Sequence, residues 1–184
     1  MQAAHSALLT VDDYWLTPSD GPRYQLIEGE LIMAPAPNRF HQDISGNLEF
    51  ILRKYLEKHP IGKLYDAPFD VVLNEINVFQ PDILFVANER KSIFTKQGVE
   101  GAPNLVVEIL SASTTRLDKG VKKKIYASAG VTELWLIDPD AQTIEIYFLQ
   151  REAGHPSATH NRRDVFSSPT FPNLKISAAE IFKQ

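Results

Sequence analysis

Apolar residues recur at helical spacing in one long segment of the chain, between residues 39 and 58. Intervals of three and four place them on one face of an α-helix. These positions are Ile44, Leu48, Ile51, Leu52, Tyr55 and Leu56. We therefore predict an amphipathic helix over Arg39–Lys58.

Three shorter helices are predicted from their end signals. Thr10 and Ser177 each begin a capping-box pattern, which places one short helix near each end of the chain. A third helix is predicted from about Leu117 to Ala129, where Gly130 is suited to the left-handed position that ends a helix.

The remaining apolar segments have the length and composition of strands. Alternating residues on both sides of Gly29 predict a hairpin or a bent strand over 23–33. Further strands are predicted over 62–67, 69–73, 81–86, 105–110, 132–138 and 143–149.

Segment 105–110 is almost continuously apolar, which is typical of a strand covered on both faces. With the helix and strand that come after it, it predicts a β–α–β unit with a parallel strand pair. We expect one α/β (α+β) domain over 1–184, with a mixed central sheet flanked by helices. Its core would extend over about 10–150, followed by a polar loop or ragged hairpin and the short C-terminal helix.

Composition narrows the possible functions. The 184 residues are 43% hydrophobic and contain no cysteine, which excludes a disordered chain and any thiolate chemistry. No apolar run is long enough to span a bilayer and the first residues do not resemble a secretory signal, so we expect a cytoplasmic protein without a membrane partner. The net charge of −4 argues against binding to nucleic acid by overall charge alone.

Two acids stand beside or within apolar strands. Asp82 follows Pro81 at the head of one strand, and Glu108 lies inside another. A carboxylate in such a position is costly unless it is paired, protonated or bound to metal. If the strands are neighbours, the two acids could share Mg²⁺ or Mn²⁺. Alternatively, Glu108 pairs with a basic side chain and Asp82 only caps a turn.

The helix after Glu108 carries a polar row. Asp118, Lys122 and Tyr126 are four residues apart and flank the face that packs on the sheet. Lys122 is therefore placed to reach Glu108, whereas Lys123 is expected to point into solvent. Lys122 could also pair with Asp118 alone, and the two interactions are compatible.

These residues belong to longer blocks that resemble a known family. The blocks are YQLIEGE at 24–30, QPDILFV at 80–86, GAPNLVVEILSAST at 101–114 and GVTELWLIDP at 130–139. Together with the polar row they resemble the Uma2 family, also called DUF820, of the PD-(D/E)xK nuclease superfamily. The resemblance covers about residues 10–150 and implies a restriction-endonuclease-like core.

The resemblance also implies roles for particular residues. Asp82 and Glu108 would be catalytic metal ligands for Mg²⁺, with Mn²⁺ as the alternative, and the carbonyl of Ile109 would add a backbone ligand. The superfamily's lysine normally follows the acid by two residues, where this chain has Leu110. Lys122 would take its catalytic place from the helix, with Asp118 and Tyr126 as accessory residues.

The same resemblance implies further accessory positions. The family commonly has Glu where this chain has Gln25, and a neutral amide would bind a metal more weakly; Glu28 or Glu30 would then compensate. His41 either supports the site or contacts phosphate, or is simply solvated at a helix start. Ser111 either caps the next segment or bonds Glu108.

The first functional hypothesis is a metal-dependent DNA endonuclease that leaves 5′-phosphate ends. The resemblance is consistent with a homodimer. A second hypothesis is a catalytically weak or inactive nuclease-fold module that binds nucleic acid or a protein partner. A third is a metal-dependent hydrolase of a smaller phosphodiester.

Overall fold

Two mixed β-sheets and the helices beside them form the fold. The computed structural model describes residues 8–18, 20–151 and 153–184. The helices are α1 (Val11–Trp15), α2 (Arg39–Lys58), α3 (Thr115–Leu117), α4 (Lys123–Ala129) and α5 (Ala178–Ile181), with a 3-10 turn over Asn88–Ile93 and a π turn over Asp118–Lys122. Among the described residues, no helix combines the length and apolarity needed to cross a membrane.

The strands are short. Every strand predicted from the sequence is present to within one or two residues, whereas those at 77–79 and 98–100 were not predicted. In chain order the strands are β1 (Tyr24–Ile27), β2 (Glu30–Met33), β3 (Gly62–Asp66), β4 (Asp70–Asn74), β5 (Asn77–Phe79), β6 (Ile83–Ala87), β7 (Gly98–Glu100), β8 (Leu105–Ile109), β9 (Glu133–Asp138), β10 (Thr143–Phe148), β11 (Ala158–Asn161), β12 (Val165–Phe166) and β13 (Ile176–Ser177).

A six-stranded sheet in the order β11–β10–β9–β8–β6–β3 carries the main core. Strands β8 and β9 run parallel, which confirms the predicted β–α–β unit, and the other neighbouring pairs are antiparallel. All five residues of β8 are buried, as expected for a strand covered on both faces.

Helix α2 covers one face of this sheet. The Asn38 side chain accepts a hydrogen bond from the His41 backbone N–H at 2.9 Å and so begins the helix. Its buried stripe consists of Ile44, Leu48, Leu52 and Tyr55. Helix α4 packs on the opposite face with Ile27 of β1 and Phe79 of β5, so two cores share one sheet.

A second sheet has the order β2–β1–β5–β4–β7. The predicted hairpin around Gly29 is confirmed, because β1 and β2 pair antiparallel through a turn at Glu28 and Gly29. Gly29 has a φ of 78°, and a Cβ there would lie 2.7 Å from the Leu8 side chain. Glycine therefore meets both a backbone and a packing requirement at this turn.

The C-terminal segment contains the predicted short helix, α5, and the stretch before it is a ragged hairpin rather than a polar loop. Strand β11 extends the main sheet, and β12 pairs with β13. Five large apolar side chains of this segment are buried against α2 and the sheet: Phe166, Phe171, Ile176, Ile181 and Phe182. The packed core thus continues well past residue 150. Its elements are two to four residues long, which is too short for hydrophobic periodicity to identify.

A buried acid anchors the same segment to the main sheet. Glu133 in β9 is fully buried and accepts hydrogen bonds from the Ser168 hydroxyl at 2.7 Å and the Thr170 hydroxyl at 2.6 Å. The Trp135 indole N–H donates to its other oxygen at 2.7 Å. Because each carboxylate oxygen is hydrogen-bonded, the acid is tolerated in the core.

Removing one C-terminal aromatic side chain tests whether this segment belongs to the core. Phe171 is fully buried between Tyr55 and Phe85, so we expect Phe171→Ala to lower the free energy of unfolding by about 3–5 kcal/mol. Val165→Ala, at a largely exposed position in the same segment, should change it by less than about 0.5 kcal/mol. Urea unfolding followed by circular dichroism measures both; equal values would contradict this account.

Candidate active site

The two acids singled out in the sequence lie opposite each other on neighbouring strands. Strands β6 and β8 pair antiparallel with Ile83 opposite Val107, and the same register brings Asp82 opposite Glu108. Alternation along β8 places Glu108 on the α4 side of the sheet, and Asp82 directly precedes β6 beside it. Adjacency of the two strands, the condition for a shared site, is therefore met.

Asp82 does more than cap a turn. Its Oδ2 accepts a hydrogen bond from the Ile109 backbone N–H at 2.7 Å, which ties the head of β6 to the end of β8. The Nε2 of His41 lies 3.3 Å from the same oxygen. Burial lowers the pKa of His41, but the hydrogen bond and negative charge of Asp82 raise it, and the net direction is upward.

One interpretation of His41, a solvated residue at the start of a helix, is wrong. Its side chain is only 14% exposed, because the first turn of α2 lies against the cleft. Its Nδ1 is buried and has no hydrogen-bond partner among the described residues. An unpaired buried nitrogen is costly, so water or a ligand in the cleft is the natural partner.

Glu108 is buried and held by two donors. Its Oε1 accepts hydrogen bonds from the Lys122 ammonium at 2.7 Å and from the Tyr126 hydroxyl at 2.6 Å. The pKa of Glu108 is raised to about 8. Burial is the largest cause; the Lys122 charge lowers the pKa, and the charges of Asp118 and Asp82 raise it. Burial and the charge of Glu108 raise the pKa of Tyr126 well above its usual value, so the phenol remains a donor.

Lys122 reaches Glu108 and pairs with Asp118 as well. Its ammonium lies 3.0 Å from Asp118 Oδ1, and both side chains are less than 5% exposed. Burial lowers the pKa of Lys122, but the charges of Glu108 and Asp118 raise it more, and the net direction is upward. The two compatible interactions proposed from the sequence therefore occur together, and the lysine remains charged.

The helix that carries Lys122 differs from the regular α-helix predicted. It begins at Thr115, and its second turn is a π turn over Asp118–Lys122. The extra residue rotates the next turn of the helix, so Lys123 does not simply point into solvent: its Nζ lies 4.4 Å from the centroid of the Tyr147 ring. A single sequence contains no signal for such an insertion, because the apolar spacing on either side remains helical.

A cleft of about 480 Å³ opens over the acid pair between α2, β1 and the loop after β8. Gln25 lines it, and its amide oxygen accepts a hydrogen bond from the Gln80 backbone N–H at 3.1 Å. The amide nitrogen is then the group left for the cleft, and it is a donor rather than a metal ligand. Ser111 lines the cleft too, but it caps the next segment through Thr114 and Thr115 and does not bond Glu108.

Two predicted accessory acids are not brought to the site. Glu28 and Glu30 are exposed at the turn between β1 and β2 and do not line the cleft. The turn of this hairpin lies at the end away from the cleft that Gln25 lines. Neither acid therefore reaches the cleft to compensate for the neutral amide.

The sequence interpretation missed a network behind Gln25. The Tyr14 hydroxyl donates to Asp70 Oδ1 at 2.7 Å, and the Gln80 side-chain amide donates to the same oxygen at 3.0 Å. Gln80, which directly precedes Pro81 and Asp82, is thereby held at both its side chain and its backbone N–H. Its position in the QPD block was the only sequence signal, because Tyr14 and Asp70 are distant in the chain.

The donor groups fit a divalent cation of the Mg²⁺ type. Asp82 Oδ1 and Glu108 Oε2 have no hydrogen-bond partner among the described residues, and both side chains line the cleft. Within 8–18, 20–151 and 153–184, no three His, Asp or Glu side chains converge closely enough to hold a metal by themselves. Two carboxylates supplemented by a backbone carbonyl and water are nevertheless a usual Mg²⁺ set.

Comparison with known proteins places the chain in a class and then in a family. The fold is nuclease-like: it matches the crystal structure of a "putative nuclease belonging to DUF820" from Anabaena variabilis with a TM-score of 0.77 and 22% identity, over 95% of this chain and 97% of that one. An uncharacterized protein of Synechocystis, sll1609, is 24% identical over 157 residues, covering 80% of this chain and 84% of the relative. The model of the Uma2 family, described as "Putative restriction endonuclease", matches residues 11–179, and the chain belongs to that family.

Substituting Lys122 tests how strongly the buried charges depend on one cation. Lys122→Met keeps the bulk of the side chain but leaves Glu108 and Asp118 without it, so we expect the free energy of unfolding to fall by about 3–5 kcal/mol. Tyr126→Phe removes one hydrogen bond to Glu108 and should cost about 1–3 kcal/mol.

Urea unfolding without divalent metal provides both values. A Lys122→Met variant as stable as the wild type would show that the cluster does not depend on its ammonium. Lys124→Met, an exposed substitution in the same helix, is the matched control.

Proposed function

We propose that the chain is a metal-dependent DNA endonuclease that hydrolyses phosphodiester bonds in the Asp82–Glu108 cleft. The observation that carries this proposal is the free oxygen on each of two carboxylates that adjacent strands bring to one cleft, beside a buried lysine that remains charged. Membership of the Uma2 family and the nuclease-like fold support it.

Asp82 and Glu108, with the backbone carbonyl of Ile109, would hold Mg²⁺ or Mn²⁺. A cation bound there would polarise a phosphoryl oxygen and lower the pKa of water. The hydrogen bond from the Ile109 N–H keeps Asp82 oriented, because it occupies one carboxylate oxygen and leaves the other free.

Lys122 would act as a fixed positive charge rather than as a base. Glu108 and Asp118 use two of its three N–H groups, so one donor remains for the cleft that the side chain lines. Because its pKa is raised, the ammonium stays protonated and stabilises negative charge that develops on phosphate.

Gln25 and His41 would position the scissile phosphate on either side of the acids. The free amide nitrogen of Gln25 is a donor suited to a phosphate oxygen, and its hydrogen bond to Gln80 fixes its orientation. His41 contributes a partly buried ring whose charged form Asp82 favours.

Two observations favour the second candidate, a nuclease fold with weak or no catalysis. Gln25 contributes no negative charge to the cleft, and the raised pKa of Glu108 means that a proton competes with a cation for that carboxylate. Such a module would bind nucleic acid without cutting it.

Cleavage assays separate the candidates. We expect Mg²⁺- or Mn²⁺-dependent cutting of labelled DNA that EDTA abolishes. Asp82→Asn should reduce the cleavage rate at least about a hundredfold, because the cation would bind less tightly and would neutralise less of the charge on the phosphate. Asp140→Asn, at an exposed position outside the cleft, is the matched control. Labelled RNA and a small phosphodiester serve as additional substrates.

A wild type that cuts none of these substrates with either metal would contradict the endonuclease proposal. Binding of DNA without cutting would support the weak nuclease module. Cutting of the small phosphodiester alone would support the third hypothesis instead.

Gln25→Glu tests the amide's role separately. A third carboxylate near Asp82 should tighten Mg²⁺ binding, measured by titration calorimetry, by roughly tenfold. The same substitution removes the donor, so DNA binding in EDTA should weaken severalfold. Unchanged Mg²⁺ affinity would mean that this side chain does not face the cation site.

A further inference from the structure

The charge of the cleft alone does not account for binding a nucleic acid. Five carboxylates line it against two permanently cationic side chains, Arg23 and Lys122, and the whole chain has a net charge of −4. One divalent cation offsets only part of this excess. A nucleic-acid backbone therefore needs cations elsewhere on the surface.

A second groove, of about 570 Å³, lies between α2 and the C-terminal segment. We call it the Phe50 groove. Its exposed aromatic and charged lining residues are Phe50, Lys54, Lys58, His59, Glu180 and Lys183. It has three lysines against one carboxylate, the opposite balance to the cleft. Among the described residues, none of these lysines has a carboxylate within ion-pair distance.

The Phe50 groove also presents aromatic surface. Phe50 is 66% exposed, and the Lys54 ammonium lies 5.9 Å from the centroid of its ring. At the far end of the groove, the exposed ring of His59 stacks on Tyr55 at 4.4 Å. Lysines interspersed with exposed aromatic faces are the combination by which proteins hold single-stranded nucleic acid, since phosphates meet the cations and bases stack on the rings.

The groove is close to the candidate active site but separate from it. His41, Ser45 and Glu49 face the cleft, and Asn47, Lys54 and Lys58 face the Phe50 groove. At 100° per residue, these two sets lie on opposite flanks of α2, so the helix, roughly 10 Å across, separates them. A strand that leaves the cleft across α2 reaches the groove within a few nucleotides.

We propose that the Phe50 groove binds a nucleic-acid strand outside the cleft, with phosphates on Lys54, Lys58 and Lys183 and a base against Phe50. This inference rests on the proposed function for its partner. A second copy of the chain fits less well, because a two-fold contact through this surface would bring its lysines against the same lysines of the copy.

Binding of a labelled single-stranded oligodeoxynucleotide in EDTA removes the contribution of a cation in the cleft, and the groove substitutions then report on the groove. We expect Lys54→Gln/Lys58→Gln to weaken binding about tenfold and to reduce the slope of log affinity against log salt by about 0.7 per lysine. Phe50→Ala should weaken binding about fivefold or more through lost stacking. All three positions are exposed, so thermal unfolding should remain unchanged.

Lys91→Gln/Lys96→Gln removes the same charge from exposed positions that line neither groove and should leave binding nearly unaltered. A Lys54→Gln/Lys58→Gln variant that keeps wild-type affinity and salt slope would overturn the proposal. So would tighter binding of polyglutamate than of the oligonucleotide, or a loss of self-association in the groove variants without any loss of nucleic-acid binding.

The two proposals fail in different ways. If cutting depends on Asp82 but the groove substitutions leave binding unchanged, only the proposal for the Phe50 groove is overturned. Groove-dependent binding by a wild type that cuts nothing would support the groove and contradict the endonuclease.

Discussion

The rest of the site depends on the two ion pairs that the buried ammonium of Lys122 makes with Glu108 and Asp118. Without this ammonium, two carboxylates buried this close together would not both stay ionised, and without them burial would lower the pKa of the lysine. Because Glu108 belongs to β8 and the other two residues belong to the following helix, their pairing fixes that helix on the sheet. The same contacts hold Glu108 with one oxygen toward the cleft.

Backbone pairing places the second carboxylate with similar constraint. The register of β6 and β8 brings Asp82 opposite Glu108, and the Ile109 N–H then holds Asp82 in one orientation. Gln80 is fixed immediately before it by Gln25 and Asp70. The proposed catalytic groups thus lie in or directly next to strands and on one anchored helix, as precise chemistry requires.

Helix α2 connects the structural and electrostatic features of the molecule. Its buried stripe packs on the main sheet and meets the C-terminal aromatic residues, among them Phe171. One exposed flank brings His41 to an acidic cleft, and the other presents Lys54 and Lys58 beside Phe50. Both proposals together would let a protein of net negative charge accommodate a polyanion, with the acids of the proposed active site on one side of a helix and lysines on the other.

Much of this arrangement could be predicted from the sequence because it depends on local patterns. The periodicity of α2, the continuous apolarity of β8 and the cap at Gly130 each indicate one element, and the row of Asp118, Lys122 and Tyr126 correctly pointed to Glu108. The Uma2 blocks identified the family for a related reason: they are ordered, contiguous stretches.

Other features depend on contacts between distant parts of the chain, and only the tertiary structure decided them. The C-terminal core elements are too short to produce a period, the π turn leaves no mark on apolar spacing, and the anchoring of Gln80 joins Tyr14 to Asp70. Whether His41 was solvated or beside Asp82 depended on how α2 packs, which its own residues do not specify. Chain periodicity determined which faces are buried, and three-dimensional packing determined which polar groups meet, because a hydrogen bond needs proximity that sequence spacing does not record.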